Sequence, residues 1–575
     1  MIKLLKNQLS WIAVTIGSLF LVVQVMCDLI LPTITADMIN NGVAKNNIAY
    51  IWHSGFLMLL ISLIGIIGAG VNVYFASTQA QKVGNKIRSI LFKKISFMSN
   101  FEFENFGEAS LITRTTNDVI QIQNVIVMIL RMMLMSPIML IGAGIMAYQK
   151  QAKLTTVFLI SLPILAIFVG IILYYAVPLF KSLQKKIDKI NLVFREGLTG
   201  VRVIRAFNQD KLEQNRFMEA NNDYMNTGIK VFTIISLMFP IMTLVMSGTN
   251  IGIVWYGAHL IAQRSMQVGD LVAFMTYATQ ILISFMMLSM VFVFVPRASA
   301  SAARINEVIN TSNSVKDKNK VVNINNKVKT TLEFKDVNFS YPGAEKKALS
   351  NVSFKASSGM TVAIIGGTGS GKSTLINLIP RLFDVTSGQV LLDGINIEDV
   401  AQKQLHDEIS FTQQKAVLFK GTVRDNLKYG NPNATDSDLW HALEIAQSKD
   451  FLMNKDGLDT EVEQNGDNFS GGQKQRLSIA RTLVKKAKIY IFDDSFSALD
   501  FKTDAKLRLA LKKDNDIQKG IVIIVAQRIS TVANADLILV IDDGNIVGQG
   551  THEELKQNNK TYQEIIDSQI KKEEE

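Results

Sequence analysis

At 575 residues the chain is too long for one hydrophobic core, and 48% apolar residues beside 19% charged ones read as membrane and soluble parts joined in one polypeptide. The formal charge of +10 fits either nucleic acid or a membrane surface, but the Lys and Arg residues flank apolar runs and no basic stretch is interleaved with aromatics, which excludes a nucleic-acid-binding face. The single cysteine, Cys27, lies inside an apolar run, so neither a disulfide framework nor a cysteine metal site can be built.

The N-terminal MIKLLKNQLS leads into an apolar run without a small-residue cleavage site, which predicts a retained first helix rather than a secretory signal. Six stretches are long and apolar enough to cross a bilayer: about 11–35, 52–77, 127–148, 154–178, 231–262 and 270–296. Buried helices of a soluble protein would show shorter runs with a polar stripe.

Charge orients these spans, because positive residues stay on the cytoplasmic side. Segment 79–126 carries Lys82, Lys86, Arg88, Lys93, Lys94 and Arg114, and 179–230 carries ten basic residues from Lys181 to Lys230. The opposite connections hold only Lys45, then Lys150 and Lys153, then Arg264. The long segments are therefore expected inside the cell, with both termini. Their helical periodicity predicts that the spanning helices continue beyond the bilayer as stalks.

Within the spans, Asp28 sits four residues after Gln24 on one helical face, and Arg131 begins the third span. An ionisable group in hydrocarbon needs a partner or water, so both either line a polar cavity or pair structurally. Met132, Met133 and Met135, with Phe285, Met286, Met287, Met290 and Phe292, suit a deformable apolar pocket or ordinary helix packing, the second being the default.

Membrane character is expected over 1–300 and a linker over 301–330, where RASASAARINEVIN is still helix-like and 311–330 is not periodic. From 331 to 570, short apolar strands alternate with helical stretches, which predicts an α/β domain. Its run MTVAIIGGTGSGKSTLINLI is a strand, a glycine-rich turn and a helix, with the P-loop spacing G-x-x-x-x-G-K-S. Gly366, Gly367, Thr368, Gly369, Ser370, Gly371, Lys372, Ser373 and Thr374 are the expected phosphate cradle. Lys372 is suited to the β and γ phosphates, the Ser373 hydroxyl to Mg²⁺, and the helix N-terminus to the anion. A second strand, Ile489–Phe492, ends in Asp493, the expected metal ligand, and Asp494.

Further segments carry a resemblance to the ABC transporters. NFSGGQKQRLSIARTLVKK resembles their signature, with Phe469 where Leu is usual; Gln414 falls at the Q-loop glutamine, SALD at the D-loop, and Tyr341 at the aromatic residue that stacks on adenine. The resemblance implies an α-helical six-span membrane domain of exporter type followed by an α/β P-loop NTPase domain, with ATP and Mg²⁺ as its ligands. It assigns the metal to Ser373, Gln414 and Asp493. Each stalk is expected to adjoin a short coupling helix, near SLITRTTNDV and GVRVIRAF, that docks on an ATP-binding domain. Two such domains close head to tail in this family, so Ser470, Gly471, Gly472 and Gln473 are expected to face nucleotide bound by a partner chain.

The pattern also breaks. The family's catalytic Glu is replaced by Asp494, one methylene short, and its switch His by Gln527, which cannot carry the charge or shuttle a proton. Before the signature, Glu463 and Gln464 stand where Gly-Glu is usual. These departures resemble the degenerate subunit of heterodimeric bacterial multidrug exporters, with an active homodimer or an ATP-gated regulatory membrane protein as alternatives. A second half-transporter, a small amphipathic substrate and membrane lipid are the expected partners. Frequent Ile, Lys and Asn hint at an AT-rich bacterial genome.

Overall fold

The computed structural model describes residues 9–324 and 329–574, which form two compact units. One comprises 1–97 and 107–311, the other 98–106 and 312–575. The chain thus passes between units at three peptide bonds, and a nine-residue segment from the first stalk belongs to the soluble unit.

Six apolar helical rods make up the first unit. They contain α1 (Trp11–Asp37), α2 (Ile48–Ser96), α4 (Glu108–Thr115), α5 (Asn117–Met128) and α6 (Leu134–Lys150), while α3 (Asn100–Phe106), between the second and third rods, belongs to the other unit. There follow α7 (Thr156–Thr199), α8 (Asp210–Ser236), α9 (Met238–Ala262) and α10 (Val268–Asn310). Helices satisfy their own backbone groups, the requirement that hydrocarbon imposes, and residues such as Leu59, Leu159 and Phe239 stand exposed as a lipid-facing surface demands. Most rods exceed a bilayer's thickness, α2 reaching 49 residues, so charged stalk and apolar span are one continuous helix. The sixth rod runs to Asn310, ten residues into the stretch expected as linker.

Pro32 shows how the spans handle a helix breaker. A proline cannot donate to the carbonyl four residues back, here that of Asp28, and its ring disturbs the neighbouring bond. Gln280 Nε2 of α10 donates to Asp28 O at 3.1 Å, and Tyr277 Oη donates to Leu29 O at 2.9 Å. Asp28 itself is partly buried, and Arg131 is exposed in a π-helical turn, Ile129–Met133, between α5 and α6. Met135 packs in a helix–helix cluster with Met139, Phe158 and Phe274, and Phe285 in another with Leu165 and Val245. The side chains of Met290 and Phe292 lie outside the described residues.

Among the described residues the second unit holds two main sheets and a two-residue antiparallel pair, Gly421–Thr422 with Glu461–Val462. In the first, β1 (Thr331–Phe339), β2 (Leu349–Ser357), β4 (Ser387–Leu392) and β5 (Ile395–Asn396) pair antiparallel in the order β2-β1-β4-β5. The second, of six strands, combines β3 (Thr361–Ile365), β6 (Ile409–Thr412), β7 (Ile489–Asp493), β8 (Ile521–Val525), β9 (Leu537–Asp542) and β10 (Asn545–Gly550). Its order is β10-β9-β3-β8-β7-β6, parallel except at β9–β10. Alternate residues divide between two cores: Ile364, Ile491 and Ile523 on one face, Ile365, Phe492 and Ile524 on the other. Burial on both faces explains why these strands read as unbroken apolar runs.

Within this unit the segment after Thr311 is tacked down rather than loose. Ser314 N and Val315 N donate to Glu102 Oε1 (3.0 Å) and Ser99 Oγ (3.2 Å) of the 98–106 segment. Arg381, almost fully buried, donates to Lys316 O at 2.9 Å and to Asp384 at 2.6 Å. Phe101 of α3 packs against the core.

In the first unit the stalk has its own lock. Asp118 of α5, 2% exposed, accepts from Ser301 Oγ at 2.8 Å and from two guanidinium nitrogens of Arg304 on α10, and Arg114 reaches Glu307 at 2.7 Å. Asp118→Ala leaves these donors without their acceptor. The expected cost is about 2 kcal/mol, less than for a fully buried pair because half the Arg304 side chain is solvated. The melting midpoint in detergent should fall by several degrees, and less for Asp118→Asn; an unchanged midpoint in the alanine variant would remove the lock.

Candidate functional site

Strand β3 ends at Ile365, and residues 366–371 turn the chain into α11 (Lys372–Leu378). Two glycines supply left-handed backbone, Gly369 at φ +83° and Gly371 at φ +106°. Gly366 is required for a different reason: a Cβ there would lie 2.1 Å from Ile541 O of the adjacent strand β9. Thr368 is exposed at the tip, and Ser370 Oγ is buried without a hydrogen-bond partner. Lys372 Nζ donates to Gly366 O at 2.9 Å and Gly367 O at 2.5 Å, so the ammonium rests on two loop carbonyls where it can be exchanged onto phosphate oxygens. Partial burial lowers its pKa, opposed by the charges of Asp494 and Asp493.

A cavity of about 320 Å³ opens beside this loop, lined by Tyr341, Lys346, Ala348, Gly369, Lys372, Ser373, Thr374, Asp543 and Gly544 among others. Tyr341 Oη lies 3.0 Å from Thr374 Oγ1, and edge contacts with Phe339 and Phe383 fix its ring. Lys346, paired with Asp543 at 2.7 Å, was not singled out from sequence, because a lysine in an exposed turn carries no local signature.

Two carboxylates leave β7 in different directions. Asp493, buried, accepts from Ser373 Oγ at 3.3 Å, and burial raises its pKa against that bond. A hydroxyl and a carboxylate are the hard oxygen donors Mg²⁺ takes, with the other positions left to phosphates and water. Asp494 adopts the left-handed region at φ +45° and turns away. Its Oδ2 accepts from Gln527 Nε2 at 2.9 Å and more weakly from Gln414 Nε2 at 3.5 Å. Burial raises its pKa, and the donors, Gln527 among them, oppose that. Gln414, expected as a metal ligand, lies beside Asp494 in this arrangement.

The signature residues join none of these hydrogen bonds. Ser470 caps α12 (Gly471–Val484) in a reciprocal box with Gln473: Ser470 N donates to Gln473 Oε1 at 3.0 Å and Gln473 N to Ser470 Oγ at 3.4 Å. Gly471 has open space around its Cα, and Gly472 packs close to Ala498 O. Phe469, the unusual residue, is buried in the core beside Phe451 with Lys455 Nζ 4.7 Å above its ring, so the position demands bulk rather than leucine. Two residues missed by sequence reasoning surround the Gln527 loop. Arg528 donates to Ser497 O and Leu499 O, and Gln569 of α14 (Lys560–Glu574) donates to Gln527 O.

Comparisons agree with this architecture. The family model of the ABC transporter transmembrane region matches residues 14–285 and that of the ABC transporter matches 349–497. The chain is 40% identical over 550 residues to an uncharacterized ABC transporter ATP-binding protein of Mycobacterium tuberculosis, covering 95% of this chain and 94% of that one. It is 35% identical over 559 residues to the uncharacterized ABC transporter ATP-binding protein YfiB of Bacillus subtilis, covering 97% and 96%. The solved structure of a bacterial Atm1-family ABC exporter with ATP bound matches its fold with a TM-score of 0.81 at 24% identity, covering 97% of this chain and 99% of that one.

The loop's packing separates two neighbouring glycines. Gly366→Ala drives a methyl group into a backbone carbonyl and is expected to weaken nucleotide binding about tenfold or more, whereas Gly367→Ala meets nothing within 4 Å and should stay within about twofold of wild type. Titration with a fluorescent ATP analogue checks this, and equal losses at both positions would contradict the packing argument.

Proposed function

Because this chain belongs to the ABC transporter family, with a transmembrane domain and an ATP-binding domain fused in the exporter manner, we propose that it is one half of a heterodimeric exporter whose own ATP site holds nucleotide far longer than it cleaves it. The observation that carries this reading is the pairing of Asp494 with Gln527. A glutamate at 494 would extend its carboxylate by about 1.5 Å, and withdrawing the group by that much costs about a hundredfold in activating water. The same oxygen is engaged by the Gln527 amide, which has no proton to take or return.

The rest of the site is intact for binding. Lys372, the glycine turn and Tyr341 are placed for the phosphates and the adenine, and Ser373 with Asp493 for Mg²⁺, which screens phosphate charge when bound. Ser470, Gly471, Gly472 and Gln473 present a capped helix N-terminus suited to a γ phosphate held by a partner chain, so this chain completes the site that turns over. The exposed apolar Val203 and Phe207, at the short helix Val201–Ala206, support docking on the partner's ATP-binding domain.

The loop charges favour a multi-pass protein of the cell membrane with both termini cytoplasmic. Methionine-rich spans suit amphipathic substrates, multidrug or lipid-like. Export follows if ATP binds the closed domains more tightly than the open ones, so that binding turns the cavity outward and hydrolysis across the interface resets it.

Purified alone, the chain should split ATP slowly, and co-expression with its partner should restore turnover; brisk hydrolysis by the lone chain would sink the unequal-halves reading. The double replacement Asp494→Glu with Gln527→His should raise turnover at this site by about tenfold or more. Lys372→Ala should shorten nucleotide retention here while slowing the partner site's chemistry less, measured by release of labelled ATP beside steady-state hydrolysis.

A further inference from the structure

The loop that follows β8 carries Gln527, and little in its own sequence fixes it. Strand pairing ends near Ala526, whose N–H donates to Ile364 O at 3.1 Å. The next helix, α13 (Ile529–Val532), is a single turn, and its N-cap, Arg528, makes no side-chain cap. Without help from elsewhere Ile529 N–H and Gln527 C=O would both lack protein partners, and this side of the loop would be unheld.

Gln569 supplies both missing bonds. Its Nε2 donates to Gln527 O at 2.7 Å, and its Oε1 accepts from Ile529 N at 2.9 Å. One side-chain amide thus grips the loop as a neighbouring strand would, donating to one residue and accepting from the next but one. The helix that carries it is anchored independently. Tyr562 is fully buried with its hydroxyl 2.7 Å from His552 Nδ1, and Ile565 and Ile566 pack against the core. On the other side, Arg528 reaches the carbonyls of Ser497 and Leu499, and its guanidinium lies 4.8 Å above the Phe501 ring. Gln527 therefore projects from a loop held from both sides, and its Nε2 reaches Asp494 at 2.9 Å.

We propose that Gln569 is a positioning residue of the ATP site: through the Gln527 carbonyl it holds the Gln527 amide where a γ phosphate would meet it. Gln569 touches no nucleotide, and its effect is confined to what Gln527 can reach. ADP, which lacks that phosphate, is indifferent to the grip. The proposal rests on the assignment of the nucleotide site, not on its slow hydrolysis.

The test uses the purified full chain and measures affinity for Mg-ATP and Mg-ADP by displacement of a fluorescent nucleotide. Gln569→Met removes both bonds at similar volume and should cut the preference for ATP over ADP by about fivefold, the worth of one neutral hydrogen bond, with ADP affinity unchanged. Gln569→Glu keeps the acceptor for Ile529 N but loses the donor to Gln527 O, so it should show the same loss. In a Gln527→Ala background Gln569→Met should change nothing further, since the two act as one unit. Equal losses for ATP and ADP, a wild-type ratio in Gln569→Glu, or full additivity with Gln527→Ala would each overturn the proposal. A wild-type chain that binds neither nucleotide would instead defeat the site assignment itself.

Discussion

The chemistry of the soluble unit depends on the end of strand β7, where two consecutive carboxylates must serve different masters. In an extended strand successive side chains alternate faces, but both would still lie at the sheet edge competing for the same cations. The left-handed backbone at Asp494, with its amide held to Val525 O at 3.1 Å, breaks the strand at that point and sends the second carboxylate toward Gln527 and Gln414. Asp493 is left facing Ser373 and the P-loop. A non-glycine residue held in this conformation costs about 1 kcal/mol or more and persists because the surroundings over-determine it. Here the parallel neighbour β8 and the Gln527 loop do so.

That constraint explains which parts of the molecule were legible in sequence. The six rods announce themselves because hydrocarbon demands long apolar runs, and the P-loop because a strand, a glycine turn and a Lys-Ser pair must occur in fixed register. The departures at Asp494 and Gln527 were visible because a motif makes an exception readable. What stayed hidden are single contacts between residues far apart in the chain. Nothing near Pro32 says that Gln280 and Tyr277 will take its stranded carbonyls, and nothing near Gln527 points to Gln569, 42 positions away. Such bonds have no period. The membership of 98–106 in the soluble unit was hidden for a related reason, since a seven-residue helix between charged stalks is too short to show a period of its own.

The linker is a similar case. Asn, Lys and Ser over 311–330 read as a linker without periodicity, and within it Ser314 and Val315 are bonded to Glu102 and Ser99, and Lys316 O to the buried Arg381. Arg381 itself follows closely on the P-loop helix, its N–H bonded to Leu378 O. Within one compact unit, therefore, a short path of hydrogen bonds joins the helix that receives phosphate, the entry of the chain at Ser312, and the nine residues borrowed from the first stalk. Of these points, Ser312 and the two ends of the 98–106 segment adjoin the other unit in the chain.

A site that binds without turning over has a defined thermodynamic use in such a machine. A ligand shifts a two-state equilibrium only by its difference in affinity for the two states, and a tenfold difference is worth about 1.4 kcal/mol. If nucleotide at this site is retained through many cycles, that bias becomes a constant of the assembly, and only the partner site's ATP switches it. On this account the methylene missing at 494 is a device rather than a defect. On the proposed reading, its loss would spare binding through Lys372, Ser373 and Asp493, which keep their own contacts, and would withdraw only the group that activates water.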